Sequence, residues 1–101
     1  MEKRTGIIGI FLEARDSVPR VNELLGQHAE LILARMGLPI RENGLNVIAL
    51  IVQGTTDEMG ALTGKLGRLK GVSVKSMLSK SGGYHDPDQN LHFNGGDPFQ
   101  S

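Results

Sequence analysis

PIRENGLNVIALIVQGTTDE, Pro39 to Glu58, carries the two signals on which the fold turns. Asn43-Gly44 stands directly before the apolar run Leu45 to Val52, and Asn-Gly is the strongest short signal for a hairpin. A short strand is therefore expected before the pair and a longer one after it. Thr55 followed three residues later by Glu58 has the spacing of a capping box, in which the side chain of each residue accepts from the other's backbone N–H. A helix is predicted from about Thr56 to Gly67. One stretch of twenty residues thus fixes a strand–strand–helix order.

Upstream, TGIIGIFLE (Thr5 to Glu13) is a nearly continuous apolar run of strand length and reads as a buried central strand, with Gly6 and Gly9 marking a close neighbour. Asp16, Ser17 and Pro19 supply helix-start signals. Val18, Val21, Leu25, His28, Ile32 and Met36 then recur at intervals of three and four, which predicts one long amphipathic helix ending near Met36. Gly37 is placed as its left-handed cap and Pro39 as its stop. Downstream, Val72, Val74 and Ser76 alternate with Ser73, Lys75 and Met77, the period of a half-buried strand. The order βαββαβ implies an α+β, ferredoxin-like sandwich: a four-stranded antiparallel sheet with two helices on one face. Residues 1–80 form that domain, and residues 81–101, with two Gly-Gly and two Asp-Pro pairs, read as a loop-like tail.

At 101 residues, 39% hydrophobic and 22% charged, the chain has the composition of one soluble folded domain. No apolar run approaches the roughly 20 residues that span a bilayer, so no membrane partner and a cytoplasmic location are expected. Zero cysteines exclude disulfides, thiolate metal sites and iron–sulfur ligation. All eleven Lys and Arg precede residue 81, whereas the tail carries only Asp86, Asp88 and Asp97, so a mildly basic body ends in an acidic extension. Lys65, Arg68, Lys70, Lys75 and Lys80 make an acid-free run after Met59, which an ordinary solvated face explains better than nucleic-acid binding.

Gly60, Gly64, Gly67 and Gly71 recur at helical spacing, and each glycine within a helix costs about 1 kcal/mol against alanine. Met59, Leu62, Leu66 and Leu69 occupy the opposite side, so the glycine side turns away from the core. Gly60, Gly64 and Gly67 are accordingly candidates for a subunit interface, with His28 on the first helix beside them. The alternative for Gly67 and Gly71 is a helix end and turn. GALTGK is no phosphate loop, because three residues rather than four separate its glycines and Leu66 replaces the magnesium-binding hydroxyl. Gly64, Lys65 and Arg68 could still hold an anion. His85, Asp86, Asp88 and His92 could gather a metal, but a glycine-rich segment does not pre-organise ligands, so no metal or cofactor is expected. No carboxylate pair or nucleophile–base set is brought together, and the chain is not expected to be an enzyme.

The segments RTGIIGIFLEAR, ARMGLPIRENGLNVIALIV and GTTDEMGALTGKLGRLKGVSVKSMLSK resemble the small family of regulators associated with iron-only hydrogenase systems. That family is ACT-like and related to the C-terminal domain of the nickel-responsive regulator. The resemblance spans about residues 1–80. It implies a domain that forms a homo-oligomer, dimer or tetramer, and senses a small-molecule effector, with the loop after the first strand as the binding place. Arg15, Asp16 and Ser17 join the ligand-binding candidates on that basis, beside Glu13 and Ala14. Nickel binding does not carry over, because His28 is the only histidine of the body and cysteine is absent. No ribbon-helix-helix segment is present either, so a DNA-binding or hydrogenase-related partner would be a separate chain. The competing readings are an assembly module for hydrogenase maturation that takes no effector and, more weakly, direct nucleic-acid binding through Lys65, Arg68, Lys70 and Lys75.

Overall fold

The computed structural model describes residues 2–79. In it β1 (Arg4–Leu12) runs through the middle of a four-stranded antiparallel sheet of order β2-β3-β1-β4, with β3 at Leu45–Gly54 and β4 at Val72–Leu78. Two helices, α1 (Val18–Gln27) and α2 (Thr56–Gly67), cover one face. The expected sandwich is present. Its core is assembled by period 2 from the strands and by period 3.6 from the helices. Ile8, Ile10 and Leu12 of β1 and Ile48, Leu50 and Val52 of β3 meet Val21, Leu24 and Leu25 of α1 and Met59, Leu62 and Leu66 of α2. Burial of such side chains, at roughly 25 cal/mol per Å² of apolar surface, is the main stabilising term.

β1 is central, as expected, but it is covered on one side alone. Ile7 and Phe11, on the alternate positions, remain 49% and 39% exposed. An unbroken apolar run normally marks a strand buried on both faces, so the second face of this sheet carries more apolar surface than the solvent-facing side of an antiparallel sheet usually does.

The long first helix is corrected. α1 ends at Gln27, a single 3-10 turn follows at Ala29–Leu31, and β2 occupies Ile32–Ile40. Ile32 and Met36 fit a helical stripe, but pairing decides the matter. The ten residues of β3 hydrogen-bond along a nine-residue partner, with Met36 opposite Ala49 and Leu38 opposite Val47. Gly37 is therefore an extended residue inside β2 and caps no helix. The strand before the hairpin is long, not short. A bulge between Ile32 and Ala34 lets Ile32 face the helices while Ala34, Met36 and Leu38 face away. Pro39 fits because β2 is an edge strand and tolerates the loss of a ladder N–H.

The hairpin is made as expected: Asn43 Oδ1 accepts from the Leu45 N–H at 3.0 Å, and Gly44 takes φ +70°. The capping box is complete. The Thr55 hydroxyl accepts from Glu58 N–H at 3.1 Å, and the Glu58 carboxylate accepts from Thr55 N–H at 2.8 Å. The bond from the Thr55 backbone, with that from its hydroxyl, holds the Glu58 carboxyl below its ordinary range against the opposing effect of desolvation. A depressed carboxyl stabilises the fold at neutral pH, and that contribution is lost as pH falls through the lowered range. Thermal melts of Glu58→Gln and the parent chain should differ at pH 7 and draw together as pH falls below the ordinary glutamate range. A constant difference down to pH 3 would refute the linkage.

Candidate functional site

The first connection of the fold is tied to the last. Glu13 N–H donates to the Gly71 carbonyl at 2.7 Å, and the Ser17 hydroxyl donates to the Lys70 carbonyl at 2.7 Å. Gly71 has φ +72°, and a Cβ there would lie 2.6 Å from the Ala14 Cβ. These contacts bring the Arg15–Ser17 turn and the turn after α2 to one end of the molecule, so Arg15, Asp16 and Arg68 share that end. Ser17 is 8% exposed, and its one hydroxyl donor is committed to the Lys70 carbonyl.

Gly60, Gly64 and Gly67 do lie together, but beside edge strand β4, where with Thr63, Val72, Val74 and Ser76 they line an open groove of about 530 Å³. A Cβ added at any of the three would meet nothing within 4 Å, so the chain's own packing does not require these glycines. Lys65 and Arg68 are exposed on and just beyond α2, whereas Lys75, opposite Gly9, stands on the sheet face that the helices leave bare. The basic run is thereby divided between two sides of the domain. His28 sits at the end of α1, and its buried Nε2 has no hydrogen-bond partner among the described residues. Among the described residues no three His, Asp or Glu gather to hold a metal. The His85, Asp86, Asp88 and His92 set lies outside the described residues.

A second cleft, of about 200 Å³, opens between α1 and the β2–β3 hairpin. Leu12, Val21 and Ile48 form its apolar floor, and Asn22, Arg35 and Asn46 bring polar groups to its walls. The Arg35 Nη2 donates to Asn22 Oδ1 at 2.7 Å, which orients a guanidinium that has no carboxylate partner among the described residues. Gly37, on the helix-facing side of β2, leaves the cleft open, since a Cβ there would meet nothing within 4 Å. An oriented, unneutralised guanidinium above an apolar floor suits a small molecule that carries a carboxylate.

Sequence reasoning missed this cleft. Asn22 and Arg35 are thirteen residues apart, and they meet only because β2 doubles back along α1 instead of extending it. The legible signal was the alternation of Ala34, Met36 and Leu38, which places Arg35 and Gly37 on the opposite side.

With this geometry in hand, comparison with known proteins places the chain. Residues 4–76 match the TM1266-like family, described as "Iron-only hydrogenase system regulator, putative". The chain belongs to that family. The uncharacterized protein TM1266 from Thermotoga maritima is 41% identical, with a TM-score of 0.75 over 78% of this chain and 100% of that one. The ACT domain from the GTP pyrophosphokinase of Chlorobium tepidum superposes with a TM-score of 0.61 at 19% identity, over 76% of this chain and 89% of the domain. The C-terminal domain of the MgtC protein from Mycobacterium tuberculosis gives 0.58 at 12% identity, over 75% and 87%. The last two likenesses are of fold alone, and the first of them bears out the ACT-like architecture. No curated protein matches the chain at a significant level.

Proposed function

We propose that this member of the hydrogenase-regulator family is a non-enzymatic, cytoplasmic sensor that binds a small carboxylate-bearing effector in the α1/β2 cleft and passes the signal on by self-association. The observation that carries the reading is the Arg35 guanidinium, oriented by Asn22 and unpaired with any carboxylate among the described residues, above the apolar floor of Leu12, Val21 and Ile48. An amino acid or a 2-oxo acid has the matching chemistry: the carboxylate engages Arg35, the 2-substituent meets Asn22 or Asn46, and the side chain displaces water from the floor. Effector binding does work only if the two assembly states differ in affinity for it, so the effector must favour one of them. Control of transcription or of hydrogenase assembly then passes through a separate chain.

Titration calorimetry of the full chain against the common amino acids and 2-oxo acids tests the reading. Arg35→Gln should weaken binding by roughly ten- to a hundredfold, the value of a hydrogen bond to a charged group. Gly37→Leu should fill the cleft and abolish binding while leaving the melting temperature within a few degrees. Silence from the unaltered chain towards every acid would refute the sensor and leave the assembly module, which the bare sheet face favours.

A further inference from the structure

We infer that the sheet face turned away from the helices is the contact surface of a homodimer, packed sheet on sheet against a second copy of this chain. Ile7, Phe11, Met36, Leu38, Ile51 and Met77 all lie on that face and are between 39% and 71% exposed. Together they bare on the order of 600 Å² of side-chain surface, the upper end of what a monomer leaves uncovered and close to the about 800 Å² per partner of a standard interface. Its charge composition excludes an acidic or basic partner. The register places no carboxylate on it, and its one charged side chain, Lys75, is on edge strand β4 at the margin, where the stem can lie flat and the ammonium reach water.

The relief of the face fits a copy of itself. Reading across the strands, the row Met36, Ala49, Gly9, Lys75 is small at its centre, and it lies between the rows Leu38, Val47, Phe11 and Ala34, Ile51, Ile7, Met77. A shallow apolar depression of about 310 Å³ follows from Ala34 and Ala49. A two-fold contact requires one surface to supply both ridge and trough, and these rows supply both. The glycine groove beside β4 lies on the helix side and takes no part. The bare face is independent of the cleft, and its pairing rests on the preceding reading only in giving self-association a regulatory use.

Sedimentation equilibrium of the full chain at 1–200 µM is the test. The unaltered chain should show a dimer or a multiple of it. Ile51→Glu should weaken association about 100-fold, because it buries an unpaired charge at the centre of the face. Met36→Glu, at a position 71% exposed and unable to disturb the core, should act in the same direction with an unchanged far-UV spectrum. A monomer throughout the range, or an oligomer indifferent to both substitutions, overturns the proposal. Replacing Leu91, Phe93 and Phe99 together by serine in the full chain should leave the mass unchanged. A rise in mass would overturn the proposal by assigning the face to residues 80–101. Gly37→Leu should also leave the mass unchanged, so failure of the cleft and failure of the face are read separately.

Discussion

Replacing Leu62 by alanine should lower the unfolding free energy by about 3 kcal/mol, the middle of the range for removing a buried leucine side chain. Leu62 is 0% exposed at the centre of the apolar stripe of α2, and Met59 and Leu66 lie one turn to either side on the same stripe. That stripe is pressed on the two central strands, whose Ile8, Ile10, Leu50 and Val52 give no route for the site to collapse without moving the sheet. For a domain of this size each kcal/mol lowers the melting temperature by about 4–8 °C, so a drop of roughly 15 °C is expected in calorimetry. Leu33→Ala provides the internal comparison. Leu33 stands in the β2 bulge at 61% exposure, and its truncation should change stability by less than about 0.5 kcal/mol. Equal losses at the two positions would mean that the helices do not seat on the sheet as described.

The difference between these two leucines was half legible in the sequence. Leu62 reads as a core residue from its phase with Met59 and Leu66, and the capping box at Thr55 and Glu58 sets where that phase begins. Local signals settled α2 because every one of them agreed. Leu33 lies in the segment where they conflicted. Ile32 and Met36 continue the stripe of α1, whereas Ala34, Met36 and Leu38 also form a strand face, and Gly37 and Pro39 favour neither element. Only pairing with β3 separates the two readings, and that pairing is non-local. The same limit hid the candidate site. The resemblance points to Arg15, Asp16 and Ser17 in the loop after β1; Ser17 donates to the Lys70 carbonyl, and the guanidinium with no carboxylate partner among the described residues belongs to Arg35, on a strand whose periodicity reads as helix. The bare sheet face was hidden for a related reason: the continuous apolar run of β1 implied cover on both sides, and no sequence pattern states whether the second cover is another helix or another chain.

The second large effect concerns glycines, and it separates two reasons for keeping one. Gly71→Ala should cost about 3 kcal/mol or more. At φ +72° any side chain is strained, which accounts for about 1–2 kcal/mol, and the new Cβ would stand 2.6 Å from the Ala14 Cβ and 3.0 Å from the Ala14 nitrogen. The neighbour cannot simply step aside, because the 13–17 connection is anchored to the same turn by Glu13 N–H on the Gly71 carbonyl and Ser17 Oγ on the Lys70 carbonyl. Gly44→Ala isolates the conformational part: φ is +70° there, but nothing lies within 4 Å, so about 1 kcal/mol is the expected loss. Gly64→Ala removes both penalties, being helical and in open space, and should raise stability by about 0.5–1 kcal/mol. Urea titration of the three variants should therefore order them 71, 44, 64 from least to most stable, with only the last above the parent chain. If Gly71→Ala costs no more than Gly44→Ala, then the Ala14 contact yields freely, and the union of the first and last connections does not constrain the end of the fold where Arg15 and Arg68 are displayed.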